Sequence, residues 1–336
     1  MKKPKEMTYS RISTFLNCPM LEWWRYGVKG VGIEPVTPII PFIEGSFIHY
    51  ALHHWYKSKR MQRVNLQKRI EKVIADLKES EGGLTPELDD DLHIRLTAMT
   101  GAALSYKQHY HADLEKYEVV YNEEPFQFEF GNFLFRGKID LLVRDKETDK
   151  LELWEHKSAG SIPKDAYAML PLDLQDFIYC MAVKALTKEL PDFKRRNWIL
   201  KSKLRRKKDR SGGRESLATF EARVGSQYLE EPEKKFFRTP PVKVLKRTVE
   251  SVEKELAKIL THYEACKDDP FMRFPECVGK YGKGCGFGMA CIAKLQGHGD
   301  GWDSPETRGM YRLKKALHPE LVEEKQEETD SDKSKT

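Results

Sequence analysis

Residues 135–157 read FRGKIDLLVRDKETDKLELWEHK. Two apolar-rich runs, 135–143 and 151–154, flank a polar segment, 145–150, that has no long apolar side chain. Leu151 and Leu153 alternate with Glu152, and Ile139, Val143 and Trp154 favour extended backbone. The stretch therefore predicts strands rather than helix. The simplest arrangement is a β-hairpin turning about residues 146–149. A turn centred between Glu147 and Thr148 places Asp140 opposite Glu155. Directly opposed residues hold their Cβ atoms about 4.5–5.5 Å apart, a separation at which like charges are destabilising. Two carboxylates held so close need a counter-charge, and a divalent cation with hard oxygen ligands is the natural one. Lys157, two residues beyond Glu155, projects from the same face. A slip of one residue would send Asp140 to the other face, and the hairpin alone leaves open a plain surface ribbon with its charges in water.

Composition adds outer bounds. The chain has 336 residues, 33% of them charged and 11% aromatic, enough for one large domain or two ordinary ones with a real core. The formal charge is only +6, so overall charge says little about a polyanionic partner and local clustering matters more. No apolar run approaches the ~18 residues needed to span a membrane. The start, MKKPKEMTYSR, has no apolar stretch after its basic residues and does not read as a secretory signal. By default the expectation is a cytoplasmic protein in a reducing compartment. Six cysteines in a reducing compartment are expected as metal ligands or buried thiols, not disulfides.

Along the chain, Ser10 or Ser13 is expected to cap a first helix, which Cys18-Pro19 interrupts. Residues 27–41 are rich in Gly and Pro and read as loop. Residues 44–57 predict a helix carrying His49 and His53 on one face. Helices are expected over 66–77 and 89–114, a strand over 119–130, and a helix over 172–186 that sets Gln175 and Tyr179 on one face. Cys180 reads as a buried thiol. A strand over 197–204 runs into RRKKDRSGGR, residues 205–214, where Arg205, Arg206, Lys207 and Lys208 could contact phosphates or simply lie in water. Residues 216–224 are expected as a returning strand and 248–262 as a helix. Residues 319–336 predict a disordered, charged tail.

Taken in order, these pieces resemble the PD-(D/E)XK nuclease superfamily. More narrowly, they look like its RecB-like iron–sulfur branch, which includes AddB-type subunits and the CRISPR-associated adaptation exonucleases. The resemblance rests on Tyr9-Ser10 through Cys18-Pro19, Gly45-x-x-x-His49, Gly137-x-x-Asp140, Glu155-x-Lys157, Gln175-x-x-x-Tyr179, and Cys277, Cys285 and Cys291. It implies an α/β fold: a restriction-endonuclease-like core with a mixed central sheet flanked by helices, an N-terminal helical region and a C-terminal cysteine-rich segment. A single nuclease domain is expected over 1–318, with a helical insertion about 60–115, a core about 117–265 and a cluster segment, 266–296, closing onto Cys18. The tail follows at 319–336.

The implied activity is Mg²⁺- or Mn²⁺-dependent DNA cleavage, exonucleolytic, in repair, recombination or phage DNA processing. The alternatives are a DNA-trimming exonuclease of CRISPR adaptation and a DNA-binding module of the same fold that does not cut. The resemblance assigns Asp140, Glu155, Lys157, Gln175 and Tyr179 to catalysis. It assigns the cation to His49, Asp140, Glu155 and the backbone carbonyl of His156, whose side chain should point to the opposite face. It assigns a [4Fe–4S] cluster to Cys18, Cys277, Cys285 and Cys291. The family often has Cys-x-x-Cys before the last cysteine, whereas here seven residues separate Cys277 from Cys285. Zinc and plain thiols stay open as rivals, with Cys266 as a spare ligand. No Walker-type phosphate loop is present, so any helicase or recombination protein would be a separate partner.

Overall fold

The computed structural model describes residues 4–59, 61–80, 83–208, 213–273, 277, 285–299 and 301–318. The tail expected at 319–336 lies outside them. Among the described residues, strands run in chain order as β1 (Lys5–Met7), β2 (Ile33–Pro35), β3 (Tyr117–Phe130), β4 (Phe133–Asp145), β5 (Leu151–Ala159), β6 (Phe193–Leu200), β7 (Phe236–Arg238), β8 (Val242–Lys243) and β9 (Tyr311–Leu313). The longer helices are α1 (Tyr9–Asn17), α2 (Ile40–Ser58), α3 (Arg63–Glu79), α4 (Pro86–His109), α5 (Leu174–Thr187), α6 (Leu217–Glu230), α7 (Lys246–Cys266) and α8 (Gly288–Leu295). The class is mixed α/β, with a mixed sheet flanked by helices. Among the described residues no helix is long and apolar enough to cross a membrane.

The chain divides into two compact units. The first comprises Met1–Pro38, Pro125–Lys138 and Glu250–Thr336. Here β1 pairs in parallel with the start of β4, and β2 pairs antiparallel with β9. Residues 27–41 are thus not all loop, because β9, far along the chain, supplies Ile33–Pro35 with a ladder. Thr8, not Ser10 or Ser13, caps α1: its hydroxyl accepts the Arg11 N–H at 3.1 Å, which satisfies one of the donors a helix start leaves open. Cys18 ends α1 with extended backbone, as a residue before proline should. A core of Met20, Trp24, Val28, Ile33, Phe287 and Ala290 also takes in Cys18 and Cys291.

The second unit comprises Ile39–Glu124 and Ile139–Val249. Its part of the sheet runs β4, β5, β6, with β7 and β8 both on β6. The β4–β5 ladder pairs Leu141 with Trp154, Leu142 with Leu153 and Val143 with Glu152, which is the register the hairpin reading predicts. Asp145 closes the turn by accepting the N–H groups of Glu147 and Thr148. β5 and β6 are parallel, with Glu155 beside Arg196 and Lys157 beside Trp198. Helix α2 buries Phe47, Ile48, Ala51, Leu52 and Trp55 at three- and four-residue steps, and they enter one core with α4, α6, Leu141, Val143 and Trp154.

Residues 217–224 form part of α6, with Ser216 as its cap, rather than a returning strand. Phe220, Val224 and Tyr228 recur every four residues and are buried, and the Ser216 hydroxyl caps the helix by accepting the Thr219 N–H. The strand that returns is β7.

Candidate active site

Four elements of the second unit bring the site together. Hairpin β4–β5 carries Asp140, Glu155 and Lys157, α2 carries His49, α5 carries Gln175 and Tyr179, and the middle of β3 adds Glu123. His49 Nδ1 lies 2.9 Å from Glu123 Oε1 and 3.5 Å from Asp140 Oδ1. One ligand atom from each of these three residues lies within 4.8 Å of the other two. Glu123 was not singled out from the sequence. Its backbone has φ 51° inside a strand, a conformation uncommon outside glycine. The neighbouring Asn122 is tied to α2 by donating to the His53 carbonyl at 2.8 Å. The only signal in the sequence is a pair of acids, Glu123-Glu124, ahead of Pro125.

Asp140 uses its other oxygen, Oδ2, to accept the His156 N–H at 2.8 Å. That bond crosses the hairpin and fixes the carboxylate with Oδ1 toward His49. The His156 ring turns to the other face, buried and stacked on Tyr56 at 5.8 Å. Burial pushes its pKa well below the usual imidazole value, so it is neutral.

Glu155 is 3% exposed. Its Oε1 accepts from Lys157 Nζ and from Gln175 Nε2 at 2.7 Å. Gln175 Oε1 accepts from Lys157 Nζ at 3.0 Å, and Gln175 Nε2 also reaches the Tyr179 hydroxyl at 3.2 Å. Glu155, Lys157 and Gln175 therefore form a closed triangle. The second Glu155 oxygen, Oε2, is buried with no hydrogen-bond partner among the described residues. An ionised oxygen in that state is costly unless a cation or donor completes it.

Arg196 stiffens this arrangement from behind. Its guanidinium donates to Asp173 Oδ2 and Asp176 Oδ1, each at 2.8 Å, and Asp173 caps α5 by accepting the Gln175 N–H. A buried arginine on β6 thus sets the start of the helix that presents Gln175.

The electrostatics follow from burial and crowding. Burial, then the Asp140 charge, lift the Glu155 carboxyl to about 6. Burial also raises Asp140, against the pull of His49. Burial opposes a charge on His49, but the carboxylates of Asp140 and Glu123 outweigh it and hold the imidazolium up to about 10. Lys157 also loses solvation, yet Glu155 and Asp140 keep its pKa raised. Without a metal, the cluster holds its protons at His49 and Lys157. The donor set, carboxylate oxygens with one imidazole nitrogen and the orphaned Glu155 Oε2, fits a divalent cation of the Mg²⁺ or Mn²⁺ kind.

The basic segment at 205–208 is partly committed elsewhere. Arg206 donates to the Glu215 carbonyl at 2.8 Å, and the Lys207 N–H goes to the Glu215 carboxylate at 2.8 Å. The side chains of Arg205, Lys207 and Lys208 are exposed. Residues 209–212 lie outside the described ones.

In the first unit, Cys18, Cys285 and Cys291 share one core. Burial pushes the Cys291 thiol up to about 11; the Trp24 indole N–H, 3.2 Å from its sulfur, works against this, and the nearby Cys277, Cys285 and Cys18 add to it. The Cys285 N–H donates to the Cys277 carbonyl at 3.2 Å. Cys266 instead faces His262, at 3.8 Å.

A family model for the PD-(D/E)XK nuclease superfamily matches residues 6–292. No curated protein matches the sequence.

Proposed function

The chain belongs to the PD-(D/E)XK nuclease superfamily, and on that premise we propose that it is a metal-dependent deoxyribonuclease acting from DNA ends. The observation that carries the reading is the convergence of His49, Glu123 and Asp140 on one small volume, with the Glu155–Lys157–Gln175 triangle on the same hairpin. His49 by Nδ1, Asp140 by Oδ1, Glu123, and Glu155 by its unpartnered Oε2 are the side chains that would hold the cation, with the His156 carbonyl as a backbone ligand. A divalent cation there supplies Lewis-acid charge to a phosphoryl oxygen. An imidazole ligand suits Mn²⁺ better than Mg²⁺, so activity with Mn²⁺ should at least equal that with Mg²⁺.

Lys157 keeps its ammonium beside both acids, where it orients the attacking water and offsets charge developing on the phosphate. Gln175 holds Lys157 and Glu155 in register, and Tyr179 steadies Gln175. The two compact units are read as parts of one nuclease domain over 1–318, because the family match draws on segments of both.

The four cysteines Cys18, Cys277, Cys285 and Cys291 are read as ligands of a structural [4Fe–4S] cluster. Their support is the shared core of Cys18, Cys285 and Cys291 and the absence of the close Cys-x₂₋₄-Cys pairs usual for structural zinc. Closing a loop from Cys18 to Cys277 is where a clip adds most stability in principle. Repair, recombination or phage DNA processing in the cytoplasm is the proposed setting, with any helicase as a separate protein. CRISPR-type adaptation trimming is the second reading, and it shares the same residues.

The test is digestion of 5′-labelled, 3′-labelled and circular DNA with Mn²⁺. Progressive shortening of linear DNA with the circle intact is expected. Intact linear DNA under all metals would leave only the reading of a binding module.

A further inference from the structure

β5 and β6 are parallel, and just past their C-terminal ends lies a cleft of about 300 Å³. Gly160, Lys201, Lys203, Gln227 and Lys235 line it together with Leu200 and Leu204. Open α/β sheets place ligands at that end of parallel strands. Three of the lining residues are lysines, beside two leucines, around a space of phosphate-ester size. Its walls are fixed. The Lys201 N–H donates to the Ala159 carbonyl at 2.8 Å, the Tyr228 hydroxyl donates to the Leu200 carbonyl, and Lys235 lies over the Tyr228 ring at 5.4 Å. Lys201 is paired with Glu44, a carboxylate that Arg95 also approaches. Lys203 is exposed and has no ion-pair partner among the described residues. The Gln227 side chain also lines the cleft.

The cleft adjoins the proposed cation site along two separate paths. Gly160 is three residues beyond Lys157, about 10 Å at the usual rise of a strand. Glu44, which holds Lys201, is five residues before His49, about 7.5 Å along a helix. Stacked nucleotides advance about 3.4 Å per residue of a strand, so a backbone phosphate two or three linkages from the one being cut reaches this cleft.

We infer that the cleft of Lys201, Lys203, Gln227 and Lys235 binds a backbone phosphate of the nucleic-acid strand beside the scissile linkage. This rests on the nuclease reading for its position but not for its measurement. Lys203 and Lys235 supply the charge, and Lys201 is shared with Glu44. The site is independent of sequence, as a phosphate contact must be.

The experiment uses the full chain, wild type and Lys203→Ala/Lys235→Ala, with fluorescence anisotropy of single-stranded oligonucleotide in Ca²⁺. The double variant is expected to bind about tenfold more weakly at moderate salt, and to lower the slope of log K against log[salt] by about 0.7, the share of one phosphate on a single strand. Moving one neutral methylphosphonate linkage along the oligonucleotide should weaken wild-type binding at one position and leave the double variant unaffected there. Lys203→Arg/Lys235→Arg should restore affinity. Hydrolysis of bis(p-nitrophenyl) phosphate, which occupies only the metal centre, should be the same in the wild type and the double alanine variant. Unchanged affinity and slope would overturn the inference. So would weaker binding with an unchanged slope, or a methylphosphonate effect that persists in the double variant. If the wild type hydrolyses neither substrate, the nuclease reading fails while the binding data still decide the cleft.

Discussion

His49 Nδ1 and Glu123 Oε1 lie 2.9 Å apart, and the residue carrying that carboxylate has the left-handed backbone that strands rarely contain. Strain of this kind, of order 1–3 kcal/mol, persists when its surroundings over-determine it, and it clusters at functional sites. Glu123 is therefore expected to serve the cation. Glu123→Ala should weaken Mn²⁺ binding by about 10–100-fold, the range seen when a group that steadies a metal ligand is lost. Isothermal titration with Mn²⁺ checks this, with Tm in EDTA to show that the fold is intact.

Metal binding should strengthen as pH rises. His49 must give up the proton it holds up to about 10, so from about pH 6 upward each cation bound releases about one proton and apparent affinity gains about tenfold per pH unit. Below about 6 Glu155 is also protonated, and the dependence steepens. The sign is fixed: acid releases the metal. Mn²⁺ titrations at several pH values, in buffers of different ionisation enthalpy, count the protons.

Lys157→Ala should lower DNA cleavage by at least about 10²–10³-fold, the usual cost of losing one donor aimed at developing charge. Lys157→Arg should not restore it, because a planar guanidinium cannot occupy the point between Glu155 Oε1 and Gln175 Oε1 that the ammonium fills. Single-turnover cleavage with saturating Mn²⁺ separates this from a loss of metal.

The cysteines give a colour test. Protein prepared without oxygen should be brown, absorb near ~400 nm and carry about four irons per chain. Cys291→Ser should lose most of the iron and lower Tm, whereas Cys266→Ser, whose sulfur faces His262, should keep it. A colourless, iron-free preparation would remove the cluster.

Gly101 tests the packing beneath the site. A Cβ there would meet the Glu221 carbonyl oxygen at 2.8 Å and the Gly225 nitrogen at 3.2 Å, so α4 and α6 touch backbone to backbone. Gly101→Ala should cost about 1–3 kcal/mol, read by urea unfolding, without changing Mn²⁺ affinity.

Much of this was legible in the sequence because the hairpin constrains itself. Once the turn is centred at 147–148, every partner from Arg144–Leu151 to Leu141–Trp154 follows, and Asp140 is brought to Glu155 by arithmetic. His49 followed from helical spacing. Glu123 did not, because its position depends on a left-handed residue inside β3 that no local pattern encodes. Arg196 was equally hidden, since its partners Asp173 and Asp176 come from the start of a helix whose docking on β6 is set by tertiary packing. The segment at 216–224 misled because a short apolar run fits either period; its Ser216 cap and the continuation to Tyr228 decide for helix.

The most direct measurement is cleavage of end-labelled DNA in Mn²⁺ by purified wild-type and Asp140→Ala protein of matched fold. The account predicts shortening by the wild type and none by the variant. Undiminished cleavage by Asp140→Ala would contradict it.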